Sequence, residues 1–510
     1  MCLVLAALAL VPSENEGVAQ AKEAVAGDDL VRLFARAKDG GSLRTVAIGG
    51  SITQAGKGWI GEWLTQRFPK CRTMTVNAGM SATGSSLGVF RLGRDVIAHR
   101  PDLVLIEFCV NDGGLSDEDA VRYVESVVVR LKSLPDPPAI AFVGAASRGH
   151  ITFARHRKVA EHYGLKFIDL QDPLERELAA QGREWKSLMS DDVHPNEAGH
   201  RFYAKCIAEA LEPLVRAAEH GTSAGRRPLP SPLSAKRLIL DGEMVSLSES
   251  PRDGWTTASS VGKWWDKFMT GVLQAPKERP ARYVIPFRGT AAGLFYPMDP
   301  AYGHFYASVD GREPQELNPG ARFGYESRIL GKDLVPGEHT ITVVVPSGEK
   351  GAVKLAYLMV AGADEPAPRD APSPPVFDGD VTLKPVMCGE FEWRRNEGDP
   401  WVRLTGEGNR VDFTGIAPGE ALERAFLRLV VGSPARRTAR IAFAIDYFGS
   451  LRVNGRMAYE FKGGYGPRQR VIYPVELEAG QNELVFEIRP GSQGHACELA
   501  WAELGSTTSL

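Results

Sequence analysis

Val46–Gly56 reads VAIGGSITQAG: an apolar run, two glycines, a serine, and a threonine two residues later. Two readings compete for Ser51. A serine in this setting is commonly a turn residue or the N-cap of a helix. It is also where a strand would present a nucleophile. What lies on either side decides whether this is a strand end at all.

From residue 28 to residue 218, short apolar runs alternate with amphipathic stretches. The runs are RTVAI (Arg44–Ile48), RTMTV (Arg72–Val76), DLVLIEF (Asp102–Phe108), AIAFVG (Ala139–Gly144) and LKFIDL (Leu165–Leu170). Runs that stay apolar throughout are buried on both faces, as in a parallel sheet. Between them, DAVRYVESVVVRLKSL (Asp119–Leu134) and NEAGHRFYAKCIAEALEPLV (Asn196–Val215) carry the helical period. Alternating β and α units predict a three-layer α/β domain with a parallel sheet over residues 28–218. Ser51 then stands just past the carboxyl end of the first strand, where ligands bind in open α/β sheets.

The pattern breaks at EHGTSAGRRPLPSPLSAK (Glu219–Lys236), a Gly-, Pro- and Ser-rich linker. YVIPFRG, GHFYASVDGR and GEHTITVVVP follow, short alternating strands with turns at Asp310-Gly311 and Pro336-Gly337. This texture predicts an all-β sandwich over residues 235–363. A second linker, DEPAPRDAPSPPV, leads into another sandwich over residues 375–510. There Asn454-Gly455, between alternating runs, is a hairpin signal. The middle segment is rich in aromatics, among them Trp255, Trp264, Trp265, Phe295, Tyr296, Tyr302, Phe305 and Tyr306. Exposed, they would form platforms for sugar rings; burial in a sandwich core is the stronger expectation, because large aromatics dominate core burial.

The bulk numbers exclude several classes. Lys and Arg number 60 against 63 Asp and Glu, a formal net charge of -3, so no cationic field favours nucleic acid. The six cysteines (Cys2, Cys71, Cys109, Cys206, Cys388 and Cys497) form no CxxC pair, which argues against a zinc or redox cluster. Cys388 and Cys497 lie in one late segment and are candidates to pair in an exported protein. Leu3–Val11 is apolar but too short to span a bilayer, and Ala19-Gln20-Ala21 resembles a cleavage site. Residues 1–21 therefore predict a signal peptide and a secreted or periplasmic protein, although no Lys or Arg precedes the apolar stretch. No later segment is long and apolar enough to cross a membrane.

Other strand ends give Ser51 company. The second strand runs into NAGMSATGSSLG (Asn77–Gly88), where small side chains leave backbone N–H groups free to face a ligand. The third ends in EFCVNDGG, with Asn111 just past the strand; an Asx-turn is the alternative reading there. SDDVHPNEAGH places Asp191 and His194 at D-x-x-H spacing before the final helix. A carboxylate three residues before an imidazole can fix one tautomer. Nucleophile, base, orienter and oxyanion donors are together the parts of an acyl-transfer site. They need neither metal nor cofactor.

In these residues the chain resembles the SGNH hydrolases, or GDSL-like esterases. GGSIT resembles their first block, VND the third and DDVHP the fifth, and the likeness covers about two fifths of the chain. It implies Ser51 as nucleophile, His194 as base, Asp191 as its partner and Asn111 as a side-chain oxyanion donor. The family's D-x-x-H selects Asp191 over Asp192. Three departures stand out. Gly-Gly-Ser-Ile replaces Gly-Asp-Ser-Leu, Val110 replaces a glycine, and Ala82 falls where the second block usually has its glycine donor. Gly79 and Gly84 are the near alternatives to Ala82. The middle segment resembles jelly-roll sandwiches attached to some such esterases, and the last a galactose-binding-like sandwich. The resemblance implies a serine esterase acting on an acylated carbohydrate, with an O-acetylated polysaccharide or oligosaccharide as the expected substrate. A lipase or thioesterase of the same fold, or a glycan-binding protein with a degenerate hydrolase domain, are the alternatives.

Overall fold

The five apolar runs become the strands of one parallel sheet. In the computed structural model they are Gly41–Gly49 (β1), Cys71–Gly79 (β2), Leu103–Glu107 (β3), Ala139–Gly144 (β4) and Lys166–Asp169 (β5). Their order is β2-β1-β3-β4-β5, and every neighbouring pair is parallel. The structure describes residues 28–149, 153–220, 228–258, 268–269, 271–362, 381–405, 408–416, 422, 424–445, 448–462, 471–489 and 495–504. The expected signal peptide, and Trp264 and Trp265, lie outside these residues.

β3 and β4 are buried along their whole length, which is why their sequences are apolar without alternation. Helices Ser85–Asp95, Asp117–Lys132 and Phe153–His162 cover one face of the sheet. Helices Asp28–Lys38, Gln171–Ala180 and Glu197–Glu219 cover the other. The strand order switches direction between β1 and β3. A crevice opens beyond the carboxyl ends at such a switch point, and Ser51 and Asn111 follow those two strands.

The middle segment forms two four-stranded antiparallel sheets with a small three-stranded one beside them. Its strand Ala291–Met298 is buried at all eight positions. Ala292, Leu294, Tyr296 and Met298 face the sandwich's own core. Ala291 and Phe295, on the other face, join Leu87 and Phe90 of helix Ser85–Asp95 in one continuous core. The sandwich is thus fused to the parallel-sheet unit by packing. Arg122 also pairs with Asp333 at 2.8 Å, and the Tyr325 hydroxyl donates to the Ser81 carbonyl at 2.5 Å. Trp255, Phe295, Tyr296 and Phe305 are all core residues; Tyr302 and Tyr306 are half-buried.

The last segment forms a five-stranded and a six-stranded antiparallel sheet. Asn454 (φ 51°) and Gly455 (φ 77°) make the expected hairpin turn between Phe448–Val453 and Arg456–Lys462. Met74 of β2 packs against this sandwich's core. Cys388 and Cys497 are both buried and are not joined by a disulfide, so the pairing raised by the sequence is not made.

Candidate active site

β1 ends at Gly49, and the chain turns through Gly50 into the short helix Ser51–Gly56. Side chains do not fit at this turn. A Cβ on Gly49 would lie 2.0 Å from Thr53 Oγ1, and one on Gly50 would lie 2.0 Å from Asn111 Oδ1. The glycines therefore let the Asn111 amide sit directly against the residue preceding Ser51. Gly50 occupies the N-cap position, with no side-chain cap hydrogen bond. The Ser51 hydroxyl serves a different partner: its Oγ is 2.7 Å from His194 Nε2.

His194 is held from behind. Its Nδ1 lies 2.8 Å from Asp191 Oδ2. The other carboxylate oxygen accepts from the N–H groups of Val193 (2.9 Å) and His194 (2.7 Å). Ser190 N–H donates to the His194 carbonyl, and Trp185 Nε1 to the Asp191 carbonyl, both at 2.7 Å. With the carboxylate on Nδ1, that nitrogen carries the proton, and Nε2 is left to accept from Ser51. Burial pushes the Asp191 carboxyl up, but the two backbone N–H groups and the imidazole outweigh it and hold its pKa below the ordinary carboxylate value. The His194 and Asp191 side chains are 41% and 56% exposed, so the arrangement opens directly to solvent.

The second-block loop is tied to the nucleophile's helix. Gln54 Oε1 accepts from both the N–H and the hydroxyl of Ser81, each at 2.9 Å, and Asn77 Nδ2 donates to the Gln54 carbonyl. The Gly79 N–H is already engaged, by Asn77 Oδ1 at 2.9 Å. Ala82 is exposed and left-handed, with φ 57°. That is a backbone conformation normally reserved for glycine, so the alanine occupies a glycine-type position. Ala82→Gly is expected to raise stability by about 1 kcal/mol, because the left-handed conformation costs a non-glycine residue roughly 1–2 kcal/mol. Part of that gain is offset by the unfolded chain's added freedom. Urea unfolding measures it, and lower stability in the variant would contradict it.

Two buried ionisable residues that the sequence reading did not single out brace these strand ends. Arg91 is fully buried and donates to the carbonyls of Gly49 (2.9 Å) and Ala78 (2.7 Å), with Asp95 as its counter-ion at 3.0 Å. Glu107, at the end of β3, accepts from Thr53 Oγ1 at 2.9 Å. A carboxylate inside the apolar run DLVLIEF was the available signal for Glu107. Arg91 gave none, since a cation in an amphipathic helix normally faces water. Among the described residues no cluster of His, Cys, Asp and Glu could hold a metal ion.

A hydrogen-bonded Ser–His–Asp sequence at the carboxyl ends of a parallel sheet is the arrangement of a serine hydrolase. Residues 47–202 match the GDSL-like Lipase/Acylhydrolase family, and this part of the chain is a hydrolase domain of that family. Thioesterase 1/protease 1/lysophospholipase L1 of Escherichia coli (strain K12) is 26% identical over 151 residues, 28% of this chain and 70% of that protein. A crystal structure of a two-domain esterase active on acetylated mannans is similar with a TM-score of 0.59 and 24% identity, covering 66% of this chain and 95% of that one. A second, co-crystallised with mannopentaose, gives 0.57 and 22% over the same shares. At these identities the likeness to the solved structures is one of fold.

Proposed function

We propose that this chain hydrolyses carboxylic esters through an acyl-enzyme on Ser51, removing O-acetyl groups from a polysaccharide or oligosaccharide. The observation that carries it is the unbroken relay of 2.7 Å and 2.8 Å from Ser51 through His194 to Asp191. Ser51 Oγ attacks the ester carbonyl as His194 Nε2 takes its proton, and Asp191 stabilises the imidazolium. The tetrahedral oxyanion is held by the N–H groups of Ser51 and Ala82 and by the Asn111 amide. One such donor is worth about 2.7–4 kcal/mol of barrier. His194 returns the proton to the departing alcohol as the C–O bond breaks. Water, activated by the same imidazole, then releases the acid and restores Ser51.

Three things support a carbohydrate ester. The His194 and Asp191 side chains are open to solvent, and among the described residues no apolar lid roofs them. Two β-sandwiches accompany the hydrolase domain. The fold is shared with an esterase described as active on acetylated mannans. Export, through the segment at residues 1–21, fits such a substrate and is part of the proposal.

A lipase or thioesterase is the second reading, favoured by the 26% identity to the E. coli enzyme. Hydrolysis of p-nitrophenyl acetate against the octanoate and palmitate separates them. Preference for acetate, with acetate released from an acetylated polysaccharide, is the expected result. Preference for the long chains would make the second reading the function. Absence of any ester hydrolysis would leave glycan binding.

A further inference from the structure

A cleft of about 1440 Å³ runs between the parallel-sheet unit and the last sandwich. One wall is the outer strand of the sheet: among the described residues β2 has a strand neighbour only on the β1 side. Thr73, Thr75 and Asn77 of that strand line it, and Arg410 and Glu498 of the last sandwich face them. An edge strand normally has its free main-chain groups covered or protected. Here the last sandwich takes Met74 into its core yet leaves a channel alongside.

Three features make the channel a binding site. Its size exceeds the roughly 300–1000 Å³ of a small-molecule pocket, so it suits a chain more than a small molecule. One end lies beside the catalytic candidates, lined by their sequence neighbours and not by Ser51, Asp191 or His194 themselves. Ser190 and Pro195, which flank Asp191 and His194, line it, as do Ala55 and Gly56 at the end of the helix that begins with Ser51. His200 lines it too, close enough to His194 that the latter's charge joins burial in pushing the His200 imidazole down to about 4. The third feature is chemical. Most of the lining residues carry a hydroxyl, amide, guanidinium or carboxylate beside apolar surface, a mixture that suits the hydroxyls and the C–H faces of sugar rings, and Trp59 is the one large aromatic among them. An acyl chain requires apolar walls, whereas sugar hydroxyls match these donors and acceptors.

We propose that this cleft seats the polysaccharide whose ester reaches Ser51, with the last sandwich as one of its walls. The proposal rests on the carbohydrate-esterase reading and deepens it. The test uses the full chain and two variants outside the catalytic relay: Thr73→Trp, which fills the channel, and Arg410→Ala, which strips the opposite wall. Both are expected to keep kcat/KM for p-nitrophenyl acetate within about twofold. For whichever acetylated mannan or xylan the native protein deacetylates best, they are expected to lose about tenfold or more, mainly in KM, equivalent to about 1.4 kcal/mol. Binding of mannopentaose and xylopentaose to Ser51→Ala protein, by calorimetry, should weaken by a similar factor when Thr73→Trp is added. Equal losses on polymer and small ester, no loss on polymer, or oligosaccharide binding that is absent or unmoved by Thr73→Trp would each overturn the proposal. A native protein that cleaves no ester would instead remove the esterase reading, and the binding measurement would still decide the cleft.

Discussion

Ser51→Ala is expected to lower kcat for p-nitrophenyl acetate by about 10⁴-fold or more while leaving the protein folded. The two halves of this expectation have separate grounds. The catalytic loss follows from the hydroxyl's position 2.7 Å from His194 Nε2. The structural neutrality follows from what the hydroxyl does not do. It caps no helix, because the cap position belongs to Gly50, which makes no side-chain cap bond. A turn or capping serine would show the reverse pattern, with lost stability and retained activity. The two readings of VAIGGSITQAG are thereby separated by one variant and two measurements.

Members of such a relay act as a unit. The double variant Ser51→Ala/His194→Ala is therefore expected to be no slower than either single one. Asp191→Asn should cost on the order of 10⁴ in kcat, by favouring the wrong imidazole tautomer. Its amide oxygen can still accept from the N–H groups of Val193 and His194, so the loop should hold its shape. If Ser51→Ala retained activity within tenfold of the native rate, the nucleophile would lie elsewhere.

The parallel sheet was legible because β3 and β4 are buried on both faces and the sequence can satisfy that only with continuous apolar runs. Asp191 and His194 were legible because their contact is local, three residues apart and closed by backbone N–H groups of the same loop. Asn111 came from its place after β3 and from the family likeness. What escaped depends on partners distant in sequence. Arg91 reaches the Gly49 carbonyl across 42 residues, and nothing in SSLGVFRLGRD distinguishes a buried brace from a solvated cation. The strand Ala291–Met298 carried the same kind of hidden information. Its unbroken burial arises because helix Ser85–Asp95 covers the face a free sandwich would turn to water. The sequence read that segment as an independent sandwich, since a second burial partner leaves no periodicity of its own.

Glu107→Gln is expected to flatten the pH dependence of stability between about pH 4.5 and about pH 8. Glu107 is wholly buried where β3 ends, beneath the Gly50–Ser51 turn. Burial, the largest influence, drives its pKa up to about 8; hydrogen bonds from Thr53 Oγ1 and from the backbone at Gly50 and Thr53 only partly oppose this, and the charge of Asp112 adds to the rise. Its Oε1 is buried with no hydrogen-bond partner among the described residues, as suits a neutral acid better than an anion. The sign follows from proton counting. Below about 4.5 both folded and unfolded chains keep this proton, and the group's full contribution is present. Between about 4.5 and about 8 the unfolded chain releases the proton and the folded chain does not, so stability falls as pH rises, on the order of 1.4 kcal/mol per unit. Above about 8 both are ionised and the loss is complete. Glutamine keeps the shape and an acceptor for Thr53 but cannot ionise, so the variant's advantage over the native protein in urea unfolding should grow from about pH 4.5 to about pH 8 and level off above that. Parallel native and variant curves would mean that the carboxyl is already ionised when folded. The same group links stability to catalysis. An anion formed there places negative charge under the turn that presents Ser51, against the developing oxyanion. In the native protein kcat should therefore decline above about pH 8, and in Glu107→Gln that decline should disappear.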